Sequence, residues 1–403
     1  MSPGVNRFWI TSFGLLLGGS LLCVFADPGT DPTVERLSPV VAELRELKFR
    51  KPVEAGKRSK EQIQAYIESR IAEEYKDQEI EYERRTLVLL GLMDASFPYR
   101  QSLIGLMREQ VAGYYDPTAK SLYLADWVSG TDSDPIFVHE LTHALQDQHF
   151  ELKKFMKRNM DDDDRTLAVN SLLEGDAFSV MMDFSLKGQS ARMTDLPDMT
   201  AALEQSLASQ KLAETGFKDI PQILLAGVLF PYVRGSAFIR HLRMNGGWKS
   251  VDEAFRKLPA SSEQILHPAK FLARNDPPIE ISKTLLDGKL PPGSNVLMSN
   301  VLGEFGWHIV LGAKNGSIPN GSAGAGWGGD RFWLIELNSP KKDALLLASV
   351  WDSEKDAQTF EADWKKRGAA APKVFLRDGK KALIGINLVE SDVRKSAGSW
   401  FTY

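Results

Sequence analysis

Five consecutive residues, His139-Glu140-Leu141-Thr142-His143, constrain the fold of this 403-residue chain more than any other segment. Two histidines four positions apart can reach one metal ion only if the segment is helical, because residues i and i+4 lie one turn apart on one helix face. Asp134-Pro135 is typical of a helix start, with Asp as the N-cap and Pro as the first helical residue. The sequence therefore predicts a helix from about 134 to 149, and its apolar residues predict that it is buried on most sides.

The same motif carries the residues of a hydrolytic zinc site. His139 and His143 would bind the ion as neutral imidazoles. Zinc lowers the pKa of a bound water toward neutrality, and the Glu140 carboxylate beside the first ligand is placed to accept the proton of that water. The motif needs structural context, because a surface helix can carry two unrelated histidines at this spacing.

A catalytic zinc usually has three protein ligands and a water in the fourth position, so a third ligand is needed. His149, six residues after His143, would reach the ion only if the chain turned sharply after the helix. That turn normally needs a glycine at the position where this chain has Gln146. If the helix continues, His149 lies about 9 Å further along its axis, which makes it a poor ligand.

Glu174 is the better candidate for the third ligand. It lies in a segment from Arg165 to Leu186 with strong helical patterning, and a second helix can cross the first and present one carboxylate to the ion. Gly175 lowers helix stability by about 1 kcal/mol relative to Ala, which suggests a place where two helices approach closely. Asp176 and Asp147 are candidate acceptors for the N–H of a ligand imidazole.

The motif at 139–143, together with Leu173-Glu174-Gly175-Asp176-Ala177, resembles the gluzincins, the zinc metallopeptidases whose third ligand is a Glu on a following helix. The resemblance covers roughly residues 85–270. It implies a mainly helical peptidase domain with one catalytic zinc ion, held by both histidines and Glu174, and with Glu140 as the general base. In gluzincins an Asp often follows the ligand Glu four residues later, and Phe178 stands there in this chain. This departure concerns the groups that orient the ligands, not the ligands themselves.

Peptide hydrolysis would also require a donor for the oxyanion that forms when water attacks the carbonyl. Tyr232, near the start of a predicted helix, and His267, which directly precedes a proline, are the two candidates. Both residue types are also common in structural roles, and the sequence leaves the choice open. His241 and His308 have no such context and are interpreted as structural.

A β-hairpin is predicted directly before the metal-binding helix. Two aromatic-rich runs, 111–115 and 121–124, flank an Asp-Pro turn. Such a hairpin can be part of the core and can also offer an edge strand to an extended peptide.

Residues 1–26 are predicted to be a signal peptide. Arg7 precedes an uncharged run from Phe8 to Ala26, and Val24-Phe25-Ala26 offers a small residue before a cut. The only cysteine, Cys23, lies in this segment, so the mature chain would have no disulfide and no cysteine nucleophile. We expect cleavage and export to the periplasm, the cell surface or the medium. The alternative is an uncleaved membrane anchor, and no other stretch is expected to span a membrane.

Composition excludes few classes of partner, but it disfavours nucleic acid. The net charge is −4, and no basic stripe is interleaved with aromatic residues. The basic run at 50–60 is expected to be a solvated loop. The expected partner is a peptide or protein substrate.

The predicted fold class is α+β. Residues 27–285 are expected to form a mainly helical zincin-like domain with a small antiparallel sheet beside the active-site helix. From about 290 the pattern changes to Gly- and Pro-containing turns, including 315–329, and then to the order strand, strand, helix, strand, strand. Residues 290–403 are therefore expected to form a smaller α+β domain, in which no catalytic constellation is apparent.

The sequence thus favours an exported zinc-dependent metallopeptidase. One alternative is a zincin-like protein that holds zinc and cleaves nothing, although a purely structural site needs no base such as Glu140. The other alternative is a zinc hydrolase of non-peptide amides, which would have the same sequence pattern.

Overall fold

A computed structural model describes residues 29, 31–74, 77–108, 113–127, 133–154, 161–215, 220–312, 324–338, 340–367, 373–398 and 400–401. The predicted signal peptide, residues 1–26, lies outside the described residues, as does the part of the Gly-rich run 315–329 from 315 to 323.

The described chain has an α+β fold with two separate sheets, and most of its helices follow one another in runs between the strands. In chain order the elements are α1 (Pro32–Arg45), β1 (Glu54–Arg58), α2 (Lys60–Glu74), α3 (Asp77–Leu89), α4 (Tyr99–Arg108), β2 (Gly113–Asp116), β3 (Ser121–Ala125), α5 (Asp134–Phe150), α6 (Asp163–Leu186), α7 (Thr200–Thr215), α8 (Gln222–Arg256), α9 (Ser262–Leu266), α10 (Pro268–Ala273), β4 (Asn295–Asn300), α11 (Gly303–Val310), β5 (Trp327–Asn338), β6 (Lys341–Trp351), α12 (Glu354–Lys366), β7 (Lys373–Asp378), β8 (Lys381–Ile386) and α13 (Glu390–Ala397).

The smaller sheet has three strands in the order β1-β3-β2. The predicted hairpin is confirmed, because β2 and β3 pair antiparallel. The prediction of an antiparallel sheet was wrong for its third member: β1 pairs parallel with β3, and it occupies the basic stretch that was expected to be a loop. The guanidinium of Arg58 lies over the ring of Tyr123, 4.1 Å from its centre, so a basic residue contributes to this sheet by packing.

Helix α5 confirms the helix predicted from about 134 to 149. It begins one position earlier than expected, because Ser133 is the N-cap and Asp134, the expected cap, is already helical, with Pro135 in the first turn. Nearly every side chain from Asp134 to Asp147 is buried. The helix lies in the main hydrophobic core, together with residues of α1, α6 and α8.

Helices α6 and α8 touch backbone to backbone. A Cβ added to Gly175 would lie 2.3 Å from the carbonyl carbon of Gly235, and a Cβ added to Gly235 would lie 2.2 Å from the carbonyl oxygen of Ser171. A close helix approach at Gly175 was therefore predicted correctly, but the partner at that point is α8 rather than α5. Helix α8 is kinked further along, at Gly246 and Gly247.

By length and hydropathy α8 could also cross a membrane, which the sequence reasoning did not anticipate. However, 72% of its apolar window is buried inside the protein, as in the core helix of a globular domain. The length and hydropathy of α8 are therefore only weak evidence that it spans a membrane.

The larger sheet is antiparallel, with the strand order β4-β5-β6-β8-β7. The predicted succession of two strands, a helix and a hairpin is present as β5, β6, α12, β7 and β8. Ser353 caps α12 by accepting a hydrogen bond from the Asp356 N–H. Residues of α11 and α12 cover one face of the sheet, and α13 with the 281–286 segment covers the other.

Three elements near this sheet were not predicted: β4, α11 and α13. In addition, 327–329 belong to strand β5 and do not form a turn. A Cβ on Gly329 would lie 2.2 Å from the carbonyl oxygen of Ile279, so glycine lets the 279 segment approach the strand. The proposed boundary near residue 290 stays a prediction.

Candidate metal centre

His139, His143 and Glu174, called the metal centre below, bring three donor atoms together between α5 and α6. The two Nε2 atoms of the histidines lie 3.1 Å apart. The Glu174 Oε2 lies 3.2 Å from Nε2 of His139 and 3.5 Å from Nε2 of His143. All three side chains are buried, with at most 2% of their surface exposed. The structure thus brings together the three ligands predicted from the sequence.

The spacing of these atoms fits a tetrahedral zinc site. Ligand atoms about 2.05 Å from a tetrahedral ion are about 3.3 Å from one another. The three separations of 3.1, 3.2 and 3.5 Å bracket this value. The donor set of two imidazoles and one carboxylate also matches the usual ligands of a catalytic zinc.

The tautomer of His143 is fixed by Gln146. The Gln146 Nε2 donates to the carbonyl oxygen of Leu173 and to Oδ2 of Asp176, so its Oε1 is left as an acceptor. Nδ1 of His143, 2.9 Å from that Oε1, must therefore carry the hydrogen. In the neutral imidazole Nε2 is then a bare lone pair that faces the other ligands, as metal binding requires.

The electrostatics of the metal centre also favour a cation. Burial lowers the pKa of His143, but the charge and hydrogen bond of Glu174 outweigh it and raise that pKa to about 9. Burial raises the pKa of Glu174, but the two imidazoles outweigh it and lower that pKa to about 2. The Oε1 of Glu174 is buried and has no hydrogen-bond partner among the described residues. A buried carboxylate with an unsatisfied oxygen needs a positive charge nearby, which either a protonated His143 or a divalent metal ion would supply.

Glu140 lies on the same helix turn and contacts the small sheet. It is 1% exposed, and its Oε2 accepts a hydrogen bond of 2.9 Å from the backbone N–H of Tyr115. Tyr115 is in β2, which is an edge strand of the three-stranded sheet. This N–H therefore points away from β3 and toward α5, so the edge strand runs beside the carboxylate.

The two aspartates suggested as acceptors for imidazole N–H groups have other roles. Asp176 reaches His143 only through Gln146, and it also accepts from Nε of the buried Arg45 at 2.8 Å. Asp147 accepts from the Tyr115 hydroxyl at 2.9 Å, and no imidazole contact of Asp147 is present among the described residues. Sequence reasoning used Gln146 only as an argument for a continuous helix and missed its role in orienting the ligand.

The structure separates the two candidate oxyanion donors. The ring of Tyr232, on α8, lies 6.3 Å from the ring of His139. His267 lies in a different cluster, where its Nε2 is 2.9 Å from Oε1 of Glu304. The same oxygen lies 3.0 Å from Nε2 of His308. Tyr232 is therefore the candidate that lies beside His139, and His267 contacts a carboxylate elsewhere.

His149 is not part of the metal centre, as predicted. It is on the last turn of α5 and donates Nε2–H to the carbonyl oxygen of Lys48 at 2.8 Å. The continuous helix explains this, since His149 points away from the two ligand histidines.

A second set of converging acids, Glu263, Asp276 and Asp352, is occupied by a side chain of the protein. The Lys270 ammonium lies 2.5 to 2.7 Å from one oxygen of each. This set is therefore an ion-pair cluster that joins α9 and α10 to the end of β6.

A family model for a domain of unknown function (DUF8575) matches residues 294–382. This segment runs from β4 into β8 and contains none of the metal-centre residues. The match therefore supports no statement about their chemistry. Comparison with curated proteins and with solved structures finds no similar protein.

Proposed function

We propose that this protein is an exported zinc-dependent hydrolase of peptide bonds, a metallopeptidase of the gluzincin type. The observation that carries the proposal is the convergence of three zinc-type donor atoms within 3.1 to 3.5 Å, beside a glutamate on the same helix turn. Zinc, when bound, would lower the pKa of a water and polarise the substrate carbonyl.

The side chains around the metal centre supply the remaining roles in this proposal. Glu140 accepts a proton from the attacking water and returns it to the leaving amine. Strand β2, whose Tyr115 N–H bonds to Glu140, aligns an extended substrate along its edge. Tyr232 is the proposed donor to the oxyanion, because its ring lies next to that of His139.

A zinc-binding protein without catalysis is the second candidate, and burial favours it. The three ligands and Glu140 are all at most 2% exposed, and a structural zinc site is closed in this way. The presence of a base at position 140 favours hydrolysis instead. The two candidates differ in one measurable property, the turnover of substrate by the zinc-loaded protein.

The first experiment measures zinc and turnover on the same preparation. We expect one zinc ion per chain, cleavage of a mixed peptide library, loss of cleavage with a chelator, and recovery when zinc is added back. A library that also contains non-peptide amides distinguishes a peptidase from a zinc hydrolase of non-peptide amides. Cleavage of those amides alone would replace peptidase activity by amide hydrolysis.

The variant Glu140→Gln tests the role of the base. It should keep the zinc ion and lower kcat/KM by about 10²–10⁴-fold, the usual contribution of general acid–base catalysis. Glu253→Gln, an exposed glutamate on α8, is the matched control and should behave as the original protein does. Cleavage by Glu140→Gln at the original rate would contradict the mechanism.

A further inference from the structure

A cleft of about 280 Å³ lies between the helical region and the larger sheet. Helices α3, α4, α6 and α8 form one side, and β4, α11 and β5 form the other. Its volume is close to the lower end of ligand pockets, roughly 300 Å³.

The lining of this cleft is mostly apolar. Its charged residues are all acidic: four carboxylates, those of Glu79, Glu83, Asp163 and Asp164, line it, and no lysine or arginine is among the described lining residues. The wall on the sheet side is formed by side chains such as Leu302, Phe305 and Phe332, and the wall on the helix side by Leu103, Val228 and their neighbours. This surface fits an apolar ligand better than an anionic one, because each apolar group that enters it is removed from water and the carboxylates repel negative charge.

Gly227 keeps part of this cleft open. It lies inside α8, where glycine is less favourable than any residue except proline. Gly175 and Gly235 are required by the contact between two helix backbones, but a Cβ on Gly227 would meet no atom within 4 Å. Packing therefore does not explain this glycine, and the space that its missing side chain leaves belongs to the cleft.

The cleft ends close to the metal centre, although it contains none of the three ligands. Asn170, in its lining, is four residues before Glu174 on the same face of α6, about 6 Å along the helix axis. Pro231, also in the lining, directly precedes Tyr232 on α8. Two helices thus run from the wall of the cleft to the residues proposed to bind zinc and the oxyanion.

We infer that this cleft binds a large apolar side chain of the peptide substrate, next to the bond that is cleaved. The inference rests on the proposed function for the identity of the substrate. It adds that the C-terminal region, with β4, α11 and β5, forms one wall of the specificity site.

Gly227→Leu fills the cleft and tests this inference. The Leu side chain enters open space on a helix, so the variant should fold. For matched peptides with Phe or Ala beside the cleaved bond, we expect the original protein to prefer Phe and the variant to lose at least tenfold in that preference. Gly227→Ala should cause a smaller loss, because it adds one methyl group.

Gly188→Leu is the matched control, since a Cβ there also meets no atom within 4 Å and the residue is exposed outside the cleft. It should leave the preference unchanged. An unchanged preference in Gly227→Leu, with normal cleavage, would overturn the inference and leave the proposed function intact.

Binding without cleavage separates the two proposals. Fluorescein-labelled versions of the same two peptides are titrated into zinc-loaded Glu140→Gln protein, with and without Gly227→Leu. We expect the Phe peptide to bind more tightly than the Ala peptide, and Gly227→Leu to weaken binding of the Phe peptide at least tenfold. These two results would support the cleft as a binding site even if the original protein cleaves nothing. Binding of dodecanoate but of neither peptide would show a lipid-like occupant and overturn the inference.

Discussion

Two clusters in the described part of the chain each contain two histidines and one glutamate. One is the metal centre, and the other consists of His267, Glu304 and His308. Both have two members four residues apart on one helix, His139 with His143 in the first and Glu304 with His308 in the second. Residue types and helical spacing are therefore the same, and they do not decide what a cluster can bind.

In both clusters two imidazole Nε2 atoms lie against one carboxylate oxygen, and in the metal centre a neighbouring side chain also fixes the hydrogen position of one imidazole. In the second cluster both imidazoles contact one oxygen of Glu304, at 2.9 and 3.0 Å, so N–H groups satisfy that oxygen without a metal ion. In the metal centre, Gln146 holds a hydrogen of His143 on Nδ1, so Nε2 is the nitrogen that offers a lone pair when the imidazole is neutral. Metal binding at this centre would thus depend on Gln146, which is outside the proposed ligand set and directs Nε2 of His143 toward the other two donors.

The largest expected effect is the loss of a ligand. Glu174→Ala should lower zinc affinity by more than the 10–100-fold typical of an outer partner, because it removes a bond to the ion. Glu304→Ala removes the equivalent carboxylate from the second cluster and should retain zinc. Chelator competition measures both affinities. Retention of zinc by Glu174→Ala together with its loss in His149→Ala would overturn the ligand set.

A smaller effect is expected when the tautomer is no longer fixed. Gln146→Ala should lower zinc affinity about 10–100-fold, as removal of a partner that orients a ligand usually does. Gln148→Ala is the matched control, because Gln148 lies on the same helix and bonds to the exposed Arg50 backbone. Equal affinities for the two variants would show that Gln146 does not orient His143.

The smallest effect concerns pH and the second cluster. The hydrogen bond of Glu304 raises the pKa of His267 above 6.5, with Glu263 adding to the rise and burial and Lys270 opposing it. The stabilisation is therefore fully present below about pH 6.5 and is lost as the pH rises through the higher pKa of the folded state. Since the side chain is 40% exposed, the free energy of unfolding should fall by at most about 1 kcal/mol.

Denaturant unfolding at pH 5.5 and pH 8.5 measures this change. His267→Gln should make the two values more alike, because glutamine does not titrate in this range. A pH dependence that is the same with and without this substitution would contradict the assignment to His267.

Local patterns predicted the elements that present the ligands. The His-x-x-x-His spacing and the Asp-Pro start indicated α5, and continuous apolar patterning indicated α6 with Glu174. The hairpin before α5 was visible because its two strands are adjacent in sequence. Each of these predictions depends on residues a few positions apart.

The missed features depend on distant partners or on side-chain direction. Strand β1 pairs with β3, more than sixty residues later, and its basic residues resemble a loop until the Tyr123 ring is placed beside Arg58. Helix α11 contains Gly303 and Gly306, which lower helix propensity, and burial on all sides stabilises it instead. The orienting role of Gln146 needed the positions of Leu173 and Asp176, which lie on another helix.

The contact between Gly175 and Gly235 limits which substitutions the protein can accept at these two positions. No side chain lies between the two backbones, so no change of rotamer can absorb an added atom. A methyl group at Gly235, sixty-one residues after Glu174 in the sequence, would push α6 and shift the carboxylate beside it. Substitutions in the wall of the cleft can change which substrate side chain is preferred. The distance between these two helices, in contrast, cannot change without moving Glu174, the proposed ligand.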